Sequence, residues 1–349
     1  MSKKRLLVFC MVIMTALSGC NKEQPENTVV ASSEVKKAEK EIFSMDTYMT
    51  LTCYGENADE AVNQSEIRIE ELNDLLSTGL ETSEVYNVNK NNGGFLSKDA
   101  AYLLEKSIEL NKLTDGLFDI SIYPLMEKWG FTDKNFNVPS DEEINTLLPL
   151  VNTKNINFDK DTSTVSFNTD GMKIDFGGIA KGYVSSEIMK IYKNLDIEYG
   201  IVNLGGNVHT YGQKPGGKNW KIGIQNPDKT KDFLGILESS NKAVISSGDY
   251  ERYFIENDIK YHHILDPFTG KPSNKGLSSV TVICSDGTIA DGLSTSLFLM
   301  GKDDAVKFWY ENSNLFDMIL FTSDENLYIT EGIENDFSSD LYDINIIRN

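Results

Sequence analysis

The sequence predicts an α+β fold of mixed, largely antiparallel sheets with packed helices. Period-two runs lie close enough along the chain to pair locally, and helical runs fall among them without the regular strand–helix alternation of a doubly wound sheet. No Pro- or Ser-rich linker interrupts residues 41–349, so these are read as one folded unit, without internal repeats.

The elements follow in order. Residues 1–20 begin with Lys3, Lys4 and Arg5, continue through an apolar run from Leu6 to Leu17 and end at Leu17-Ser18-Gly19-Cys20. This reads as an export signal over residues 1–19; the apolar run falls short of the ~20 residues a membrane span needs. Residues 20–40 are polar and aperiodic, as in a flexible tether, and the folded part is expected from about Glu41. Alternation from Phe43 through Met45, Thr47, Met49, Leu51 and Cys53 predicts a strand. Helical spacing through Ala61, Ile69, Leu72 and Leu76 predicts a helix over 57–76. A second is expected from a Ser97 cap to Leu113, and Ser140-x-x-Glu143 is a capping box opening a third. Asp170-Gly171, between Val165, Phe167 and Met172, Ile174, reads as a tight hairpin. Strands are expected through Trp220, Ile222, Ile224, through Val280, Val282, Cys284, and in the tail near Leu320, Phe321 and Leu327.

Composition narrows the function. The chain has 349 residues, 33 Lys+Arg against 53 Asp+Glu and a formal net charge of −20. Loss of the three basic residues of the signal takes this to −23. No basic run outside the first five residues offers a surface for releasing counterions from nucleic acid, which is excluded as a partner. After the signal is removed the cysteines are Cys20, Cys53 and Cys284; the last two sit in strand-like runs and read as inert core residues, with neither a disulfide scaffold nor a thiolate metal site.

Four segments carry chemistry. Asp175-Phe-Gly-Gly-Ile-Ala-Lys-Gly-Tyr183 places three glycines and Lys181 where extended chain enters a helix, a junction suited to anions, although glycines there also serve close packing. It is neither a Walker loop nor a dinucleotide fingerprint. Asn203-Leu-Gly-Gly-Asn207 is a second glycine turn. His262 and His263 are adjacent, so on a strand they face opposite ways, and alternation does not say which faces a pocket. Asp291 and Thr295, four apart on a helix whose buried face carries Ile289, Leu293 and Leu297, pair a carboxylate with a hydroxyl as a hard-oxygen site for Mg²⁺. An Asp near a helix start is equally a dipole partner.

The order of these segments, from Met45-Asp-Thr, Leu76-Ser-Thr, Ser83-Glu-Val, Thr114-Asp-Gly-Leu-Phe-Asp-Ile-Ser-Ile, Pro124-Leu and Trp129-Gly-Phe through the glycine segment, Asn203-Leu-Gly-Gly, Ser247-Gly-Asp-Tyr-Glu-Arg-Tyr, His263 to Gly270 and Ala290 to Gly301, resembles the ApbE family of FAD:protein FMN transferases over about residues 41–301. The resemblance implies an exported enzyme, lipid-anchored through Cys20 and facing outside the cytoplasm. It would bind FAD with Mg²⁺, release AMP and attach FMN to a Thr or Ser of an acceptor protein, exported or part of a membrane electron-transfer complex. Carried over by motif, Gly178 (by its carbonyl), Asp291 and Thr295 would hold Mg²⁺. Met45, Leu117, Phe118, Asp119, Asp175, Lys181 and Ile264 would line the FAD site, and His263 would be the acid/base. Ser294 would reach the metal through water. Roles for His209 and His262 are not implied. Gly79 departs from the pattern, since many members carry an aromatic residue there, and this leaves transfer to protein and hydrolysis of FAD to FMN and AMP both open. A lipoprotein that only binds FAD is the reading from a different class.

Overall fold

Antiparallel pairing begins at once: β1 (Lys37–Ser44) and β2 (Thr47–Tyr54) pair in register through a two-residue turn at Met45 and Asp46, whose φ values are 49° and 58°. The expected single strand from Phe43 to Cys53 is therefore a hairpin. The turn exchanges the faces, so Phe43 lies with Tyr48 on the exposed side while Met49, Leu51 and Cys53 point inward. The computed structural model describes residues 35–228 and 230–349, and the expected signal, Cys20 and most of the tether lie outside the described residues. The first strand opens at Lys37, ahead of the expected start at Glu41.

Helix α1 (Ala58–Leu76) follows and buries Ala61, Ile69, Leu72 and Leu76 as the spacing predicts. Next come α2 (Glu84–Lys90), β3 (Gly93–Phe95), α3 (Lys98–Leu113), α4 (Tyr123–Lys128) and α5 (Asp141–Leu147). The capping box of α5 is complete, with Ser140 and Glu143 each accepting the other's backbone N–H. Ser97 precedes α3 but its hydroxyl caps nothing. Strands β4 (Ile156–Asp159) and β5 (Thr164–Phe167) join β3 in a small sheet of order β3-β5-β4. Asp170 and Gly171 turn the chain out of β5 but do not make a hairpin, because Met172 and Ile174 go to the core in an unpaired extended segment.

Helix α6 (Ala180–Asn194) leads back to the large sheet through β6 (Tyr199–Leu204) and β7 (Asn207–Tyr211), joined by Gly205 and Gly206. Then come β8 (Trp220–Ile224), β9 (Gly235–Ser239), β10 (Ala243–Gly248), the separate hairpin of β11 (Tyr253–Glu256) and β12 (Ile259–His262), β13 (Leu277–Cys284), α7 (Gly287–Met300), α8 (Lys302–Asn312), β14 (Asp317–Thr322), β15 (Leu327–Thr330), β16 (Phe337–Ser338) and β17 (Ile344–Ile347). The nine-stranded sheet runs β1-β2-β6-β7-β10-β13-β14-β15-β17, antiparallel except for the last pair.

Both faces of this sheet are covered, and strand parity divides two cores. Ile245, Val282, Met318 and Leu320 pack with Ile69, Ile188 and Leu297 of the helices, whereas Val244, Ile283, Ile319 and Phe321 pack against the small sheet β16-β9-β8 through Ile222, Leu237 and Phe337. Each such side chain contributes about 1.5–3 kcal/mol relative to exposure. Among the described residues no helix is long and apolar enough to cross a membrane.

What positions the site is the crossing of α6 and α7. A Cβ on Gly182 would stand 2.0 Å from the Gly287 carbonyl oxygen and 2.6 Å from Asp291 Cβ. Backbones approach this closely only because both crossing residues are glycines. Arg68 of α1, paired with Asp99 at 2.6 Å and Glu187 at 2.9 Å, and Tyr183, whose hydroxyl donates to Asp99 at 2.5 Å, fix the start of α6 from its other side.

The Gly182→Ala variant is expected to lose stability at the upper end of about 1–3 kcal/mol. Gly206→Ala, at φ 100° but with nothing within 4 Å of the new methyl group, is expected to lose only about 1–2 kcal/mol of stability, through backbone strain alone. Urea unfolding midpoints of the two variants check the order.

Candidate functional site

Asp291 is the centre of the site. Although it lies on α7, Oδ2 accepts from the Gly182 N–H of α6 at 2.8 Å, and Oδ1 accepts from Asn207 Nδ2, at the start of β7, at 3.0 Å. Ile179, at the head of α6, has no capping side chain, so Asp291 supplies from another helix the acceptor that a first-turn N–H requires. The Asp that does cap α7 is Asp286, which accepts from Thr288 and Ile289. Asp291 is 5% exposed; burial holds its carboxyl above the ordinary range while Lys181 and the two donors act in the opposite sense.

One turn on, Thr295 is half-buried in a helix whose neighbouring positions are buried, and its Oγ1 has one distant partner, Ser247 Oγ at 3.4 Å. Ser294 is fully buried, donates to the Asp291 carbonyl at 2.8 Å and meets Ser247 Oγ at 2.7 Å. Its hydroxyl is held by these two protein partners. Among the described residues no three His, Cys, Asp or Glu converge as a metal cluster. The donors present, one buried carboxylate, a hydroxyl with free lone pairs and the carbonyl of exposed Gly178, are hard oxygens. They fit a cation that keeps most of its waters.

The glycine segment enters α6 directly, and the chain before it is extended but unpaired, its Asp175 N–H donating to the Ile120 carbonyl. Asp175 Oδ1 accepts from Gly177 N–H at 2.9 Å; burial raises its carboxyl, and the charges of Arg252 and Lys181 oppose that rise. Lys181 makes no ion pair among the described residues, yet its charge bears on Asp175, Asp291 and His263 alike. A Cβ on Gly178 would lie 3.3 Å from the Phe118 ring and one on Gly292 3.4 Å from it, so Phe118 is the wedge between glycine segment and α7.

The structure separates the histidines. His262 Nε2 lies 2.9 Å from the Ser273 carbonyl and its Nδ1 accepts from Ile264 N–H, so both nitrogens serve the fold. His209 is buried with Nδ1 3.0 Å from Ser185 Oγ; that hydroxyl donates to Gly182 O, so the histidine is the donor to the serine. Burial takes its pKa down to about 4. His263, one residue past β12, turns toward Arg252 and Phe131. Its Nδ1 lies 3.2 Å from the Arg252 carbonyl, an obligate acceptor, so Nδ1 carries the proton and Nε2 is the free base. Burial, with the Arg252 charge, keeps it well below the ordinary histidine range and neutral.

The remaining predicted residues divide. Met45 sits at the β1–β2 turn, and that turn's Thr47 packs against Gly205, where a Cβ would meet its Oγ1 at 2.1 Å. Leu117 borders a cleft of about 440 Å³ also lined by Thr114, Phe268 and Met300. Asp119 accepts through its carboxylate from the backbone and hydroxyl of both Ser121 and Thr153 and from Asn111, so its side chain organises the loop that follows Phe118. Ile264 is 4% exposed and belongs to the core. Cys53 and Cys284 are buried free thiols, Cys53 raised by burial to about 11. Gly79 sits in a turn where its N–H and that of Leu80 donate to Ser77 Oγ. The residues that sequence reasoning left without a role are Asn207, Ser247 and Arg252. All three lie in segments already singled out, but the contacts of Asn207 and Ser247 join positions 47 or more residues apart, and that of Arg252 with His263 forms only when the β11–β12 hairpin closes.

A family model described as the ApbE family matches residues 45–320. Curated proteins called FAD:protein FMN transferase align with the chain. That of Klebsiella pneumoniae is 30% identical over 75% of this chain and 82% of its own length, and that of Vibrio cholerae is 31% identical over 76% and 82%. Among solved structures, the ApbE protein of Thermotoga maritima superposes with a TM-score of 0.81 at 32% identity, covering 86% of this chain and 99% of its own. The flavin transferase ApbE of Vibrio cholerae gives 0.77 at 25%, with the same coverage.

The His209 value sets a pH response. The folded state binds fewer protons than the unfolded state between pH 6.5 and about 4, so this term is fully present above 6.5 and is lost on acidification. It removes about 3 kcal/mol of stability by pH 4. His209→Asn is expected to lose that part of the acid sensitivity, as read from urea midpoints across the same range.

Proposed function

The chain belongs to the ApbE family, and from that premise we propose that it is a Mg²⁺-dependent FAD:protein FMN transferase that moves FMN from FAD to a Thr or Ser hydroxyl of an acceptor protein and releases AMP. The observation that carries this reading is the convergence of a buried carboxylate, Asp291, with Lys181, Arg252 and a neutral, base-competent His263 around the glycine entry to α6.

The protein's work in such a transfer is positioning and charge compensation. A chain of net charge −20 offers no long-range attraction to an anionic dinucleotide, so the local cations Lys181 and Arg252 and the N-terminal end of α6 must draw in the pyrophosphate. Asp291, Thr295 and the Gly178 carbonyl would hold Mg²⁺, which when bound neutralises phosphate oxygens and stabilises the charge growing on the departing AMP. The acceptor oxygen attacks the FMN-side phosphorus, the bond from that phosphorus to the bridging oxygen breaks with its electron pair leaving on AMP, and the hydroxyl proton passes to His263 Nε2. Nδ1–H stays on the Arg252 carbonyl and holds the ring through the transfer. Gly79 favours a second reading, hydrolysis of FAD at the same site: without an aromatic side chain at this turn there is one less surface to hold the flavin while an acceptor arrives. Export and lipid attachment at Cys20, to a membrane facing outside the cytoplasm, complete the proposal, supported by residues 1–20.

With FAD, Mg²⁺ and a Thr-containing acceptor, the acceptor is expected to gain one FMN by mass spectrometry. The adduct should vanish with Asp291→Ala or on chelation, and form about 10²- to 10⁴-fold more slowly with His263→Ala. Free FMN and AMP without adduct would replace transfer by hydrolysis. Because His263 is held below the ordinary 6.5, transfer should keep its rate at that pH, where an ordinary histidine base is half-protonated. In cells the native chain should sediment with membranes and Cys20→Ser should not.

A further inference from the structure

Asp291 and Thr295 are held by partners from two strands of the large sheet, and the direction of each hydrogen bond can be assigned. The Asp291 carbonyl can only accept, so Ser294 Oγ–H donates to it at 2.8 Å. A hydroxyl has one proton, so Ser294 must accept from Ser247, 2.7 Å away. Ser247, its proton thus committed, can only accept from Thr295, the longer contact at 3.4 Å. The three protons therefore point one way, from Thr295 toward the helix backbone, and both lone pairs of Thr295 Oγ1 face away from the chain of hydroxyls. On the other side, Asn207, 3% exposed, donates through Nδ2 to Asp291 Oδ1 while Gly182 N–H engages Oδ2. One donor on each oxygen fixes the plane of the carboxylate and leaves each oxygen a further lone pair.

We propose that Asn207 of β7 and Ser247 of β10 are positioning residues of the cation site, Asn207 setting the Asp291 carboxylate and Ser247 turning the Thr295 hydroxyl proton away so that its oxygen is presented as a ligand. This rests on the cation reading above. Neither residue touches the cation; each acts through the group it orients. Partners of this kind on metal ligands are generally worth about 10- to 100-fold in metal affinity.

The test is Mg²⁺ affinity by titration calorimetry on the chain without substrate, with urea midpoints measured in parallel. Asn207→Ala is expected to weaken Mg²⁺ binding by about 10- to 100-fold. Ser247→Ala should weaken it in the same direction, whereas Ser247→Thr, which keeps the hydroxyl, binds as the native chain does. In turnover the two alanine variants raise the Mg²⁺ concentration giving half-maximal rate, and saturating Mg²⁺ restores kcat. Native Mg²⁺ affinity in both alanine variants, whatever their stability, overturns the proposal and leaves the cation reading intact. A native chain that binds no Mg²⁺ overturns both. If Asn207→Ala does not fold, the Ser247 pair decides, since a loss with alanine that threonine does not restore also overturns it.

Discussion

A side-chain carboxylate closes the backbone hydrogen bonding of a helix that begins more than a hundred residues before it. Asp291 does for Gly182 what a local capping residue does in most helices, and it can do so only because Gly182 and Gly287 let α6 and α7 touch backbone to backbone. The buried anion is stabilised by the positive end of α6, by Asn207 and by the nearby Lys181 charge. The glycine segment, the first turn of α6 and the Asp291–Thr295 face of α7 are thus held in one place by a single ion and two glycines.

Around that contact the large sheet acts as a frame. It brings the β1–β2 and β6–β7 turns side by side, with Thr47 packed on Gly205, and carries Asn207 and Ser247 on strands that reach Asp291 and the hydroxyls from different directions. Because hydrophobic side chains leave both faces of its central strands, the sheet is anchored on one side by helices and on the other by the small β-sheet. A cation or phosphate at the site would therefore meet groups whose supports are themselves immobilised, the condition electrostatic preorganisation requires.

Much of this was legible in the sequence where the signal is local. The capping box at Ser140, the spacing of α1 and the four-residue step from Asp291 to Thr295 need only the helical period, and the structure shows each of these elements. The Phe43 to Cys53 run misleads because Met45-Asp46 is not a standard turn pair, and because a two-residue reversal leaves the alternation unbroken along the sequence while exchanging the faces in space. The partners of Asp119 were not legible either: an aspartate in a conspicuous motif looks the same in sequence whatever its lone pairs meet, and here they meet Ser121, Thr153 and Asn111. The choice between His262 and His263 required the partners of each ring nitrogen. Asn207 and Ser247 acquire meaning only once their strands meet α7, far away in sequence, and Arg252 only once the β11–β12 hairpin brings it to His263.

The orientation of His263 has a consequence for mutational robustness. In many enzymes a carboxylate fixes the tautomer of a histidine base, and one codon change destroys it. Here the acceptor is the main-chain carbonyl of residue 252, a group that every amino acid carries. No replacement at 252 deletes that acceptor, so the side chain there is genetically uncoupled from the tautomer and can diverge with the ligand it meets, while the imidazole keeps its free Nε2.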